Sequence, residues 1–267
     1  MTLDGRANWL ADRSEAIYSS QVLRLSKEAA VSGLTKGESF LEIEFPASRA
    51  NDPTVTGTLD LTRAFVRELI SDPYFKRLND ELWILFPDAN EAFLARKSWG
   101  AVPFVLTSIP GALTDNAKSA TPPKVMISVS PGFNVEEWID LERVSNIFPA
   151  AAVVTVNGNL ERLRNNYYPP FFYPKLASVT KRFYRKFKQA VFLNPIAVGG
   201  DRLGAWLVKV GVESPWEIFV VQRQKQGQAA AAEVLECISS TPEEPRPQSA
   251  WQLATAKYKQ LNNQGLL

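Results

Sequence analysis

Apolar positions in the first half of the chain switch repeatedly between helical and strand spacing. Tyr18, Val22, Leu25 and Ala29 recur at helical intervals and Gly33 and Gly37 close the segment, which predicts an amphipathic helix. Phe40 to Phe45 (FLEIEF) alternates apolar and acidic side chains and stops at Pro46, as a strand with one wetter face does. After a loop over 47–58, Leu61, Phe65 and Leu69 with Val66 and Ile70 predict a helix capped by Thr58 or Asp60 and stopped at Asp72-Pro73. Leu82 to Phe86 (LWILF) is a short continuous apolar run, the mark of a strand covered on both faces. A helix over 89–98, a strand over 102–107, a strand over 125–129, a helix over 135–147 and a strand over 151–156 follow. This alternation predicts an α/β fold with a doubly wound, mostly parallel, Rossmann-like sheet and right-handed crossovers.

The second half changes rhythm. Lys175 to Ala190 reads as a helix, with Val179, Phe183 and Phe187 at i, i+4 and i+8. Runs at 191–198, 203–210 and 216–221 are joined by tight glycine- and proline-containing links, so they predict a C-terminal antiparallel three-strand meander. Beyond a polar exit at 222–228, Ala229 to Ile238 reads as a helix. A Pro/Glu-rich linker at 241–248 leads to a final helix, docked through Trp251, Leu253 and Tyr258. Residues 1–240 are thus expected to form one α/β domain, with 249–267 as a helix packed on it.

Composition narrows the chemistry. The chain has 267 residues, 45% hydrophobic and 11% aromatic, enough for a substantial core. Histidine is absent, which removes the commonest general base, the commonest zinc ligand and every Ser-His or Cys-His pair. Cys237 is the only cysteine, so an internal disulfide and a thiolate metal cluster are excluded, and a reducing compartment is expected. The longest apolar run, Phe148 to Val156, has roughly half the length that crosses a bilayer. Nothing near Met1 reads as a signal or transit peptide, and a soluble chain is expected.

Charge redraws the picture more than composition does. The formal net charge is only +2, yet no acidic residue occurs between Glu161 and Asp201, and that gap holds Arg162, Arg164, Lys175, Lys181, Arg182, Arg185, Lys186 and Lys188. Those eight positive charges leave the remainder of the chain at minus six. The segment also carries Tyr167-Tyr168-Pro169-Pro170-Phe171-Phe172-Tyr173-Pro174, too proline-rich for a helix. Its rings are expected to pack as a rigid crossover over the sheet edge, with a partner-docking platform as the alternative. The basic helix has no acidic i, i+4 partner, so its cations are expected to face an anionic lipid surface or an acidic protein. Arg162, Arg164, Tyr167, Tyr168, Lys181, Arg182, Arg185 and Lys186 are the residues assigned to that contact.

A second candidate is positional. Asp88, Ser130, Asn157 and Asn159 each follow a predicted strand at its carboxyl end, where open α/β sheets place ligands. A nucleotide-dependent enzyme or regulator would use that edge, with Arg162 or Arg164 on phosphate. Neither Gly33 to Ser39 (GLTKGES) nor the Gly199-Gly200 turn has the spacing of a phosphate loop, and no GxSxG elbow, zinc spacing or calcium loop occurs. Glu42 and Glu44 share one strand face and are expected to be solvated. No catalytic residue, cofactor or metal ligand is assigned, and nucleic acid is disfavoured by the absence of a binding motif and a pI near 8.6.

Several segments in order carry a family resemblance: LEIEFP at Leu41 to Pro46, LTRAFVREL at Leu61 to Leu69, ILFPD at Ile84 to Asp88, SVSP at Ser128 to Pro131, VNGNLERLR at Val156 to Arg164, FYRKFKQAVFLNP at Phe183 to Pro195, and Pro215-Trp216. With them the chain resembles an uncharacterised domain family of cyanobacteria, algae and plants that includes the chloroplast protein Low PSII Accumulation three. The resemblance implies an auxiliary role in photosystem II assembly or maintenance, with photosystem II subunits or assembly factors as partners. It also implies a peripheral place on the thylakoid from the cyanobacterial cytoplasm or chloroplast stroma. It brings no catalytic residue.

Overall fold

The structure is a computed structural model that describes residues 20–46, 55–114, 121–165, 167–224 and 232–265. In chain order the elements are α1 (Ser20–Thr35), β1 (Phe40–Glu44), α2 (Val55–Leu69), the short α3 (Pro73–Lys76), β2 (Leu82–Phe86), α4 (Ala89–Trp99), β3 (Val105–Ser108), β4 (Val125–Val129), α5 (Val135–Ile147), β5 (Ala152–Val156), α6 (Leu160–Arg164), α7 (Pro174–Arg182), β6 (Lys188–Val198), β7 (Asp201–Val210), β8 (Trp216–Gln224), β9 (Ala232–Thr241) and α8 (Pro247–Asn263). Tyr18 of the first predicted helix lies outside the described residues.

One nine-stranded sheet runs in the order β3-β2-β4-β5-β1-β6-β7-β8-β9. From β3 to β6 every pairing is parallel, and from β6 to β9 every pairing is antiparallel. The parallel strands are short and mostly apolar because both faces are covered: all five residues of β2 and all five of β4 are buried. Leu41, Ile43, Ile127 and Val154 point into a core closed by α1, α2 and α4, where Ala30, Val66, Leu69 and Ala95 sit. Met126 and Val153 point the other way, to Trp138 and Leu141 of α5, Leu160 and Leu163 of α6, and Leu176 and Val179 of α7. Helices therefore cover the two faces of the parallel part, the doubly wound arrangement that alternating strands and helices favour. A third apolar cluster lies between β6–β8 and α8.

Four expectations are corrected here. First, α2 begins at Val55, so the loop expected over 47–58 is shorter at its C-terminal side and neither Thr58 nor Asp60 precedes the helix. Second, the basic helix ends at Arg182. A 3-10 turn, Tyr184–Lys186, follows, and Lys188 already pairs with Leu41 as the start of β6.

Third, of the segment read as a helix over 229–238, residues 229–231 lie outside the described residues and the rest supplies β9, so the meander of β6 to β9 gains a strand. Leu235 and Cys237 alternate with Glu236, and the two apolar side chains pack on the first core. Fourth, α8 docks through Ala250, Ala254 and Leu261, with Tyr258 against Gly199, whereas Leu253 is about half exposed. Trp251 is half exposed too, but its indole N–H donates to the Ala197 carbonyl of β6 at 3.2 Å, so it docks at the rim of the helix.

Candidate functional site

The basic segment begins where β5 ends. Asn157 and Asn159 both have positive φ (53° and 51°), and this left-handed pair turns the chain from the sheet into α6. Leu160 and Leu163 anchor that short helix in the core. Arg164 then points back at the sheet: its Nη1 and Nη2 donate to Glu42 Oε2 and Oε1 at 2.8 and 3.2 Å. Glu42 is completely buried in the middle of β1, so the expectation of a solvated carboxylate is corrected. A charge in that position persists only with a hydrogen-bonded partner, and Arg164 is that partner.

Arg182 is consumed in the same way. Its Nε and Nη2 donate to Glu142 of α5 at 2.5 and 2.6 Å. Lys188 donates to Glu38 at 2.7 Å. Arg164 is therefore a structural clamp inside the fold, and Arg182, although 57% exposed, is an ion-paired clamp on its surface. Both carry a carboxylate partner, a correction to their expected place as free cations on an anionic surface. Burial of the rings drives the geometry: Phe183 and Phe187 pack on Phe40, and the Tyr184 hydroxyl donates to the Trp138 carbonyl at 2.7 Å.

The other cations meet solvent. Lys175, Lys181 and Arg185 are exposed and have no carboxylate partner among the described residues. Lys181 and Arg185 edge a shallow groove of about 220 Å³ together with Tyr168 and Pro170. Arg162 lies over the Tyr167 ring and Lys186 over the Phe40 ring, each 5.5 Å from the centroid. Beside them the aromatic stretch stands out of the fold. Phe171 is 88% exposed, Phe172 72% and Tyr167 67%, while Tyr168 rests edge-on against Trp138. The expectation that these rings pack over the sheet edge is thus corrected for all but Tyr168. Prolines at 169, 170 and 174 hold the loop up, because each fixes its own φ and restricts the residue before it.

A cleft of about 620 Å³ adjoins this surface at the carboxyl ends of β4, β5 and β1. It exists because β6 outruns its neighbour: Glu44, the last residue of β1, pairs with Phe192, and β6 continues to Val198 as a wall. Ser130, Asn157, Asn159, Arg162 and Tyr168, all singled out from sequence, line it. Glu44, Phe133, Glu161 and Asn194, which sequence reasoning did not assign, line it too. Asp88 is not on the lining. Its carboxylate caps α4, accepting from the Glu91 amide at 2.9 Å, which corrects its placement as a ligand residue.

The lining side chains differ in what they have left to offer. Asn157 is spent, since its Oδ1 accepts from the Phe45 amide at 2.9 Å and its Nδ2 donates to Thr62 at 3.0 Å. Ser130 has a positive φ of 43°, is 2% exposed, and its hydroxyl finds no hydrogen-bond partner among the described residues. Gly132 next to it has φ 114°, and a Cβ there would strike the Trp138 ring, so only glycine fits. The Gly132 and Phe133 amides are both taken by Glu137 Oε2, so this turn is closed on itself. Glu44 accepts one hydrogen bond, from the Asn159 amide at 3.1 Å, and burial together with the neighbouring Glu42 carboxylate pushes its pKa up to about 8.

Among the described residues no helix is long and apolar enough to cross a membrane, and no three metal-ligating side chains converge. No curated protein and no solved structure matches the chain. The model of one family does match, a domain of unknown function designated DUF1995, over residues 19–251. That match takes in every strand of the sheet, the exposed aromatic loop and the cleft, and this chain belongs to the DUF1995 family.

Proposed function

We propose that this protein is a non-catalytic auxiliary factor that docks reversibly on an anionic membrane surface through the loop at 167–173 and the cations beside it. The carrying observation is the pair Phe171 and Phe172, held out in solvent on the same segment as Lys175, Lys181 and Arg185, which no carboxylate neutralises among the described residues. Rings that enter the headgroup boundary with cations at their rim are how a folded protein lies on lipid without spanning it. Taking each phenylalanine side chain out of water contributes about 2 kcal/mol. Each basic residue near an anionic leaflet adds about 1 kcal/mol, a contribution that salt weakens. The sum supports attachment that reverses with ionic strength.

The finer reading places this surface on the thylakoid, in photosystem II assembly or maintenance, with an acidic subunit or assembly factor alongside lipid. It rests on the family resemblance, and the exposed patch is compatible with it. Flotation with vesicles of phosphatidylcholine containing phosphatidylglycerol, across a salt series, tests the docking. Binding is expected at low salt, with loss as salt rises and after Phe171→Ser with Phe172→Ser or Lys181→Glu with Arg185→Glu. Binding indifferent to both variants rejects it. Recovery of photosystem II subunits from thylakoid extract by wild type and not by the phenylalanine variant tests the finer reading.

A further inference from the structure

We propose that the cleft at the carboxyl ends of β4, β5 and β1 binds a small organic cation, an ammonium or amidinium carried on a ring or short apolar body, with Glu44 as its counter-ion. The inference rests on the cleft and is independent of the membrane surface. The charges around Glu44 show why a cation is missing. Glu42 on the same strand holds both arms of Arg164. Glu161 of α6 accepts from Asn165 and lies near Arg164 and Arg162. Glu44 faces Glu42, Glu161 and Arg164, accepts from the Asn159 amide, and makes no ion pair among the described residues. One carboxylate on the floor of the cleft is thus left without a positive partner.

An anionic ligand meets the wrong field. A phosphate in this space has Arg162 in its favour and Glu161 against it, with the ionised Glu44 added against it above pH 8, so the field favours no anion. A metal ion lacks ligands, since no third metal-ligating group joins the two carboxylates among the described residues. An organic cation instead gains the Glu44 carboxylate, the aromatic lining of Phe133 and Tyr168, and a hydrogen-bond partner for its N–H groups in the Ser130 hydroxyl. That hydroxyl is the second sign of a ligand: Ser130 is 2% exposed and its hydroxyl has no partner among the described residues.

Proton linkage gives the binding a signature. Below pH 8 the Glu44 carboxyl holds a proton that the cation must expel, so affinity rises about tenfold per pH unit up to about 8 and then levels. Titration calorimetry of the full chain with benzamidine at pH 6, 7, 8 and 9 tests this, with the neutral benzamide and the anionic AMP as comparators. Benzamidine is expected to bind along that profile and benzamide at least tenfold more weakly.

Glu44→Gln is expected to weaken benzamidine at least tenfold at pH 8 and to flatten the pH profile. Ser130→Ala is expected to weaken it about fivefold, the loss of one hydrogen bond. A urea titration confirms that both variants fold. Phe171→Ser with Phe172→Ser leaves benzamidine binding unchanged, which separates this site from membrane docking. Three results overturn the proposal: no benzamidine binding, binding that Glu44→Gln leaves intact, or AMP binding in preference to benzamidine.

Discussion

Arg164 and Arg182 on one side, and Lys181 and Arg185 on the other, come from the same short stretch and have opposite fates. The first pair is bound by Glu42 and Glu142 and locks α6 and α7 onto the body of the fold, Arg164 from within and Arg182 from the surface. The second pair stays in solvent beside Phe171 and Phe172. The rings divide likewise: Phe183, Tyr184 and Phe187 are core, whereas Tyr167, Phe171 and Phe172 are surface. A basic aromatic composition therefore does two jobs at once. The inner half builds a rigid base, and the outer half is free to meet a partner because the inner half has already consumed the nearby carboxylates.

The comparison breaks most visibly at Arg164. Arg164→Ala strands the buried Glu42, and a loss of about 4 kcal/mol is expected in urea unfolding. Adding Glu42→Gln restores most of it, because the stranded charge is then gone. Lys181→Ala on the outer half is expected to change stability by less than about 0.5 kcal/mol. Equal effects at the two positions erase the distinction. Tyr184→Phe tests the inner base more gently: removing the hydroxyl that meets the Trp138 carbonyl costs about 1.5 kcal/mol.

The pH dependence sharpens the inner side further. Glu44 holds its proton more tightly in the folded chain, with a pKa of about 8 against an ordinary 4.5, so its contribution is complete below about 4.5 and is lost as pH rises through 8. Burial raises Glu42, Glu137, Glu161 and Glu244 as well. Wild-type stability is therefore expected to fall between pH 5.5 and 8.5. Glu44→Gln should match wild type at pH 5.5 and exceed it at pH 8.5, by on the order of 1 kcal/mol once solvent screening of a half-buried group is counted. Urea midpoints at the two pH values check this.

What the sequence made legible follows from how local each signal is. Leu82 to Phe86 reads as a doubly covered strand because every side chain in it is apolar, and Val125 to Val129 reads as a strand although Ser128 interrupts its apolar run. The three cleft residues Ser130, Asn157 and Asn159 were found from position alone, since a doubly wound sheet opens at its carboxyl edge. Burial of Glu42 was not legible, because its partner lies 122 positions away and the pattern FLEIEF is the same for a wet face. Strand β9 was masked by the alanines ahead of it: helix propensity in 229–233 outweighed the two-residue alternation of Leu235 and Cys237, which only the edge of β8 makes decisive. The basic helix was drawn too long because Phe183 and Phe187 keep helical spacing although the chain tightens into a 3-10 turn between them.

The most direct test is flotation of Phe171→Ser with Phe172→Ser on phosphatidylglycerol vesicles beside wild type, with urea midpoints recorded for both. Equal midpoints are predicted, with wild type floating at low salt, released by high salt, and the variant left in the soluble fraction. If the variant floats as wild type does across the salt series, the outer half of the segment is not a docking surface.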